Sequence, residues 1–265
     1  GGGELGVVVA PAGIGKSWVL SAMGAYALSQ GLNVVHYTLE LNEAYVGLRY
    51  DSIFSGVESQ NLKYHKEEVM EKLFNLKGNL TIKYYPTKSC TVNTLSAHLK
   101  KVVTFGNKVD MVLVDYADIM RDVHKSSEMR HALGNIYEDL RGLAGELQVP
   151  IWTASQANRS ALDEDVIEAT KVAESYAKVM TADFVMSLSR KIEDKIGNTG
   201  RFHVIKNRFG PDGLTYPARI NTNIGKIEIF ESNSVQGKDV QHKINNRDNQ
   251  TKQMLSARYE DLMSE

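Results

Sequence analysis

Apolar and polar residues alternate in blocks over the first two-thirds of the chain, and each block has the period of a strand or of a helix. Short runs rich in β-branched residues predict strands at Leu5–Ala10, Asn33–Leu39, Leu80–Tyr84, Val109–Val114 and Ile151–Ser155. Amphipathic stretches predict helices at Lys16 to about Ser29, Glu43–Ser55, Lys66–Leu76, Thr91–Thr104 and Ser127–Leu147. This alternation predicts an α/β fold with a mostly parallel central sheet and helices on both faces.

The pattern changes after Ala182, where strand-like runs are joined by short turn sequences such as Pro211-Asp212-Gly213. These runs are Asp183–Ser189, Arg201–Asn207, Leu214–Asn221 and Lys226–Phe230. They predict that the sheet finishes with C-terminal antiparallel hairpins. From Glu231 onward the composition is polar, and only Met254–Met263 fits a short helix. We therefore expect one domain over residues 1–230 and a polar flexible tail over 231–265 that can dock on a partner.

Composition limits the function classes. A chain of 265 residues that is 42% hydrophobic can bury one large core or two small ones. A net charge of −1 gives no overall attraction to nucleic acid, so such binding has to come from local basic loops. The single cysteine, Cys90, excludes a disulfide framework and suits a reducing compartment. There is no signal peptide and no apolar run of about 18 residues, so we expect no membrane span and a cytoplasmic location. Because a strand begins almost at Gly1, we expect an upstream part to be absent.

The loop from Ala10 to Ser17, between the first strand and the first helix, is the strongest candidate for chemistry. It approaches the pattern GxxxxGK[ST], in which backbone N–H groups and a helix N-terminus surround nucleotide phosphates. The candidate nucleotide-binding residues are Ala12, Gly13, Ile14, Gly15, Lys16 and Ser17. Lys16 would reach the β- and γ-phosphates, and Ser17 would hold magnesium. Ala10 replaces the first glycine, a small loss if its φ is negative. The alternative is a chance Gly-Lys-Ser sequence.

Acidic residues follow the most apolar predicted strand. Asp115 ends that strand, where a carboxylate can hold magnesium through water. The alternative is a strand-end cap. Asp118 could share the magnesium, but its place in the following loop predicts solvent exposure.

Two further polar residues end predicted strands at the same edge of the sheet. Glu40 could orient or deprotonate the water that attacks a γ-phosphate. Its alternative role is a helix cap with Asn42 and Glu43. Gln156 could hydrogen-bond a γ-phosphate, and the alternative is an ordinary surface amide.

Basic residues occur in three places. Lys206 and Arg208 end a predicted hairpin strand and project from the same face, so they could clamp phosphate oxygens or form an ordinary solvated sheet edge. Two loops that follow strands at the nucleotide edge are candidates for nucleic-acid contact. Their basic residues include Arg121 and Lys125 in one loop, and Arg159 and Lys178 in the other. Acidic neighbours offset this charge, so solvated active-site loops are the alternative.

The order of these motifs resembles the RecA-like P-loop ATPase domain of DnaB-type hexameric replicative DNA helicases, and helicases of T-even-like tailed phages are the most similar. The resemblance runs from about Gly3 to Phe230. Four stretches carry it. They are the loop Ala10 to Ser17, Tyr37-Thr38-Leu39-Glu40-Leu41, Val114-Asp115-Tyr116 with Ser155-Gln156-Ala157-Asn158-Arg159, and Lys206-Asn207-Arg208-Phe209-Gly210-Pro211. In this family the first stretch often begins with Ala, as it does here.

The resemblance implies ATP and Mg²⁺ as cofactors, Glu40 as the catalytic base and Gln156 as the phosphate sensor. It also implies that Lys206 and Arg208 act on the ATP of a neighbouring subunit. The assembly would be a homo-hexameric ring around single-stranded DNA. A primase or helicase loader would be a further partner. This fragment would form rings poorly, because the family's N-terminal domain is absent.

The family's DNA-contacting loop aligns with Ala173-Glu174-Ser175-Tyr176, which makes Glu174 and Ser175 candidates for DNA contact. The arginine common in that loop is missing here, so backbone N–H groups would hold the phosphates. We therefore expect the motor domain of an ATP-dependent replicative helicase that translocates on single-stranded DNA. The alternatives are a related recombinase or clock-type ATPase without unwinding activity, and a small-molecule phosphotransferase. Unwinding of a forked duplex would distinguish the first two, and DNA-stimulated hydrolysis would exclude the third.

Overall fold

The described strands form one sheet whose order sets where each strand end lies. The computed structural model describes residues 1–172 and 176–246. The strands are β1 Leu5–Ala10, β2 Val34–Thr38, β3 Leu80–Tyr84, β4 Met111–Asp115, β5 Ile151–Gln156, β6 Phe184–Ser189, β7 Thr199–Asn207, β8 Thr215–Asn221 and β9 Lys226–Ile229. They lie in the order β3-β2-β4-β5-β1-β6-β7-β8-β9. All pairings from β3 to β6 are parallel, and those from β6 to β9 are antiparallel. This confirms the predicted fold class.

Helices cover both faces of the sheet. They are α1 Lys16–Ser29, α2 Glu43–Ser55, α3 Lys66–Phe74, α4 Val92–Thr104, α5 Met129–Leu147, α6 Ala177–Thr181, α7 Ile192–Ile196 and α8 at 235–246. Within the described ranges, no helix has both the length and the apolar character needed to cross a membrane.

Strand β1 shows why the central strands are continuously apolar. Val7 and Val9 join the core cluster that contains residues of α4 and α5, whereas Val8 joins the cluster on the side of α1 and α2. Successive side chains on a strand point to opposite faces, so both faces of β1 are buried. A strand buried on both faces has no polar positions to alternate with, which is typical of a parallel sheet.

The segment after Glu231 differs from the sequence-based expectation. Residues 235–246 form a helix in which Val240 and Ile244, one turn apart, are 0% and 1% exposed. Arg219 of β8 lies 3.2 Å from Asp239 and joins this helix to the sheet. The helix buries these two apolar residues on one face. The sequence did not predict it, because Asn, Gln and Lys dominate the surrounding residues. The predicted helix Met254–Met263 lies outside the described residues, and the domain boundary at 230 stays a prediction.

A buried histidine of β2 packs against α2. His36 is 0% exposed, and its Nδ1 lies 2.9 Å from the Tyr50 hydroxyl. Gly24 of α1 makes room for this pair, because a Cβ there would lie 2.2 Å from that hydroxyl oxygen. Burial lowers the pKa of His36 to about 3, and the Arg49 charge adds to the effect.

We predict that His36 makes the fold sensitive to acid. The pKa of histidine is 6.5 when unperturbed, so below that pH the unfolded chain binds a proton that the folded chain excludes down to about 3. The stability that neutral His36 supplies is complete above the unfolded pKa and declines as the pH falls. Between about pH 6 and pH 4, the free energy of unfolding should lose about 1.4 kcal/mol per pH unit through this group.

Urea unfolding of the wild type and of His36→Gln over this pH range measures the difference in slope. His36→Gln should flatten the pH dependence, whereas His131→Gln, at an exposed histidine, should leave it unchanged. Equal slopes for the wild type and His36→Gln would contradict the prediction.

Candidate active site

Strand register brings the predicted polar residues to one edge of the sheet. Ala10 is aligned with Gln156 across the β1–β5 pair, and Thr38 is aligned with Asp115 across the β2–β4 pair. Glu40 follows β2 at this same edge. The phosphate-loop candidate, both carboxylates and the glutamine therefore lie together at the carboxyl ends of parallel strands, where α/β sheets bind ligands.

The loop between β1 and α1 has the backbone of an anion-binding turn. Its positive φ angles fall on Gly13 (71°) and Gly15 (117°), where any side chain would be strained. Ala10 instead ends β1 in extended conformation, so its methyl group is compatible with the loop. Lys16 Nζ folds back and donates to the carbonyl oxygens of Ala10 (3.0 Å) and Pro11 (3.2 Å). No side chain caps the start of α1, which leaves its first N–H groups available to an anion.

Ser17 and Asp115 form a pair of oxygen donors beside this loop. The Ser17 hydroxyl donates to Asp115 Oδ1 at 3.1 Å, and Asp115 is 2% exposed. Burial raises the pKa of the Asp115 carboxyl, while the Ser17 hydrogen bond and the Arg49 charge oppose that rise. The described residues contain no cluster of three or more His, Cys, Asp or Glu that could hold a metal. One hydroxyl and one carboxylate fit Mg²⁺, which takes its other ligands from water and phosphates.

One cavity of about 430 Å³ unites most of the predicted residues. Its lining includes Ala12, Gly13, Gly15, Lys16, Ser17, Glu40 and Gln156. Ile14 differs, because its side chain is 1% exposed and packs in the core, which leaves its backbone for the loop. Asn42, not Glu40, caps α2 by accepting from Tyr45 N at 3.0 Å. The exposed Glu40 carboxylate is therefore available to the cavity.

Burial and neighbouring charges act on Lys16 in opposite directions. Burial lowers the pKa of Lys16, and the carboxylates of Asp118, Asp115 and Glu40 oppose this effect. The Lys16 ammonium therefore interacts with three carboxylates. A bound nucleotide phosphate would compete with them for this positive charge.

Sequence reasoning missed an arginine in the same cavity. Arg49 of α2 lies 3.9 Å from Asp115 Oδ2 and 5.1 Å from the Trp18 ring. One buried Arg49 guanidinium nitrogen has no hydrogen-bond partner among the described residues. Burial lowers its pKa, and the charges of Asp115 and Glu40 oppose the shift. No local motif marks Arg49, because it enters the site only through the packing of α2.

The far wall of the cavity was also missed. It is made by Arg190, Lys195 and Thr222, which come from the end of β6, from α7 and from the end of β8. Arg190 is held by its Nη2 donating to the Ile220 carbonyl oxygen at 3.1 Å. These residues meet only after the antiparallel part of the sheet has folded.

Lys206 and Arg208 lie at the opposite edge of the sheet. Strand β7 runs antiparallel to β6, and Lys206 is aligned with Val185, near the amino end of β6. Arg208 Nη1 lies 3.1 Å from Asp183 Oδ1, just before β6. The phosphate loop follows the carboxyl end of β1, which is parallel to β6. Neither cation lines the cavity of its own chain.

Lys206 is also bound to a short helix. Its Nζ donates to the carbonyl oxygens of Val179 (3.0 Å) and Met180 (2.6 Å) in α6. Burial and the neighbouring Arg208 charge lower the pKa of Lys206. Arg141 of α5 shares the Asp183 carboxylate with Arg208, at 3.1 Å.

The structure separates the candidates for DNA contact into three groups. Arg121, Lys125 and Arg159 are exposed in the loops that follow β4 and β5, at the nucleotide edge. Glu174 and Ser175 lie outside the described residues.

Lys178 forms the third group, because its side chain lies inside the protein in the described structure. Its side chain is 1% exposed, and Nζ lies 2.9 Å from Asp118 Oδ1 and 3.2 Å from Ser155 Oγ. Asp118, expected to be exposed, has a side chain that is 12% exposed. A carboxylate that is largely removed from water is stabilised by a countercharge, which the buried Lys178 ammonium supplies. Charge and spacing in the sequence do not reveal this pairing.

We predict that Lys178→Met destabilises the fold by about 3 kcal/mol, because it leaves the largely buried Asp118 carboxylate without its ion-pair partner. Lys125→Met, at an exposed lysine, should change the free energy of unfolding by less than about 0.5 kcal/mol. Urea unfolding at neutral pH measures both. Equal stability of the two variants would show that the buried pair does not form.

Comparison with known proteins identifies relatives of this chain. Residues 1–224 match the DnaB-like helicase C-terminal domain. The DnaB-like replicative helicase of Enterobacteria phage T4 is 29% identical over 226 residues, which cover 78% of this chain and 46% of the phage protein. The replicative DNA helicase DnaB of Haemophilus influenzae is 25% identical over 227 residues, which cover 79% and 48% of the two chains. The chain thus spans less than half the length of these relatives.

Solved structures show the same fold. A solved ATPase domain superposes with a TM-score of 0.74 at 18% identity, covering 86% of this chain and 85% of that one. A DnaB-like replicative helicase, solved in a study of its interactions with primase, gives a TM-score of 0.74 at 17% identity and covers 86% and 58%. The chain therefore shares the fold of these two solved proteins, a mostly parallel sheet with helices on both faces, as the sequence predicts.

Proposed function

The chain belongs to the family of the DnaB-like helicase C-terminal domain, and from that premise we propose that it is the ATP-hydrolysing motor domain of a replicative DNA helicase. The observation that carries the proposal is the single cavity that joins the phosphate loop, Glu40 and Gln156 beside the Ser17–Asp115 pair. The recombinase, clock-type and phosphotransferase alternatives are not favoured, because the matched relatives are named replicative helicases.

The proposed cofactors are ATP and Mg²⁺. Backbone N–H groups from Ala12 to Gly15 would hold the phosphates together with Lys16. Ser17 and Asp115 would hold the cation, which neutralises charge on the β- and γ-phosphates when bound. The uncapped start of α1 adds its positive end to the same site.

Glu40 and Gln156 are proposed to act at the γ-phosphate. The Glu40 carboxylate, free of capping duty, would orient the attacking water and accept its proton. The Gln156 amide would donate to a γ-phosphate oxygen. This role is supported by the register of Gln156 with Ala10, where the loop begins, and by the cavity that Gln156 lines together with Lys16.

Lys206 and Arg208 are proposed to complete the site of the next subunit. They lie on the edge opposite to the cavity, so a head-to-tail contact between copies would bring one copy's cations to the other's nucleotide. Such a heterologous contact can close into a ring, proposed to be a hexamer around single-stranded DNA. Arg121, Lys125, Arg159, Glu174 and Ser175 are the proposed DNA contacts. A primase or loader partner and a cytoplasmic location stay predictions.

A mixing experiment tests the shared site. We expect Arg208→Ala to retain ATP binding but to lose ATP hydrolysis by about 10³-fold, the effect of an arginine finger. Glu40→Gln should also be inactive, while its Arg208 remains intact. Mixing the two inactive variants should restore part of the ATPase rate, because some contacts then join an intact Glu40 to an intact Arg208.

The matched control is Arg141→Ala, which loses an ion pair with the same Asp183 carboxylate and should keep most of its ATPase rate. If the mixture of Arg208→Ala and Glu40→Gln is as inactive as each variant alone, the shared site is refuted.

A further inference from the structure

A single, largely buried carboxylate joins the two ends of the loop that follows β5. Asp118 Oδ2 accepts from Gln156 N and from Ser155 Oγ, both at 3.1 Å, where the loop begins. Asp118 Oδ1 lies 2.9 Å from Lys178 Nζ in α6, where the loop has ended. Lys178 also donates to Ser155 Oγ at 3.2 Å, which closes a triangle of polar contacts.

The loop itself is held as a unit. Asn158 N donates to the Lys171 carbonyl oxygen at 2.8 Å, and Ala157 forms an isolated bridge with Val172. Ser187 Oγ of β6 donates to the Ile167 carbonyl oxygen at 2.7 Å. Ser187 thus anchors the middle of the loop to β6, whereas Arg159 lies next to the Asn158–Lys171 contact near the base, so movement at the base would displace the exposed Arg159.

Helix α6 has a second attachment on its other side. Lys206 Nζ binds the carbonyl oxygens of Val179 and Met180, one and two residues after Lys178. This short helix is thus linked through Asp118 to the nucleotide edge of its own chain. It is also bound to Lys206, the cation that we assign to the neighbour's nucleotide.

We propose that Asp118 and Lys178 are positioning residues that couple the state of Gln156 to the loop between β5 and α6, and through it to DNA. The inference rests on the proposed function, which assigns Gln156 to the γ-phosphate and Arg159 to DNA. A shift of the Gln156 backbone on phosphate contact pulls on Asp118, and Lys178 transmits that shift to α6. In the reverse direction, DNA on the loop fixes α6 and holds Gln156 in place for hydrolysis.

The physical reason for an ion pair at this place is its sensitivity to separation. Two charges removed from water attract strongly, and separating them is costly. Gln156, Asp118 and Lys178, which form the base of the loop, are therefore expected to move together or not at all. A hydrophobic contact of similar size would tolerate sliding.

The test uses the full chain with both charges removed, Asp118→Asn with Lys178→Met. Replacing both partners avoids leaving one charge buried alone, and thermal unfolding verifies that the double variant folds. The matched control is Glu164→Gln with Lys171→Met, which removes the 2.9 Å ion pair inside the same loop without touching its base.

The first measurement is amide hydrogen exchange over residues 157–172, with and without a non-hydrolysable ATP analogue and Mg²⁺. We expect the analogue to slow exchange in the wild type and in the control, but not in the Asp118/Lys178 double variant. An equal slowing in the double variant overturns the coupling. The coupling is also overturned if a bound analogue leaves the exchange of the wild-type loop unchanged.

The second measurement separates this inference from the proposed function. We expect single-stranded oligothymidylate to raise kcat in the wild type and in the Glu164/Lys171 control, and the Asp118/Lys178 double variant to lose about tenfold of that stimulation, taken as the ratio of its own rates with and without DNA. A stimulation ratio equal to that of the wild type overturns the inference. A wild type that hydrolyses no ATP refutes the proposed function, whereas the exchange measurement still decides the coupling.

Discussion

The parallel register of β1, β2, β4 and β5 is the constraint on which the rest of the structure depends. Pairing Ala10 with Gln156 and Thr38 with Asp115 brings four strand ends to one edge. Buried backbone groups need hydrogen-bond partners, and because these strands are packed on both faces, a slip of one residue would exchange the side chains that fit the two cores. The core therefore fixes the register, and the register fixes the distances within the cavity. The geometry of the candidate site follows from the packing of the core.

The reversal of direction at β7 explains why one chain holds two separate sets of charged groups. Because β7 runs antiparallel to β6, its carboxyl end lies at the edge away from the phosphate loop, and Lys206 and Arg208 go with it. Under the proposed function, a site divided between opposite edges of one molecule would be incomplete in the monomer. Head-to-tail contact between copies would complete it and make assembly a condition for catalysis.

Residues whose position depends on local order could be predicted from the sequence. The phosphate loop, Glu40, Asp115 and Gln156 each follow an apolar strand, so their shared edge could be derived from strand-helix alternation. Arg49, Arg190 and Thr222 could not, because distant elements bring them to the cavity. The burial of Lys178 could not be predicted either, because nothing in the nearby sequence indicates that its ammonium pairs with the largely buried Asp118. The helix at 235–246 was missed because Val240 and Ile244 are isolated in a polar window.

The central claim is that the active site is shared between copies of this chain. The rate of ATP hydrolysis per chain, measured over about a hundredfold range of protein concentration with and without single-stranded DNA, tests it most directly. We expect the rate per chain to rise with concentration, and single-stranded DNA to increase it further and to shift the rise to lower concentration. A rate per chain that is constant over the whole range and indifferent to DNA would contradict the account.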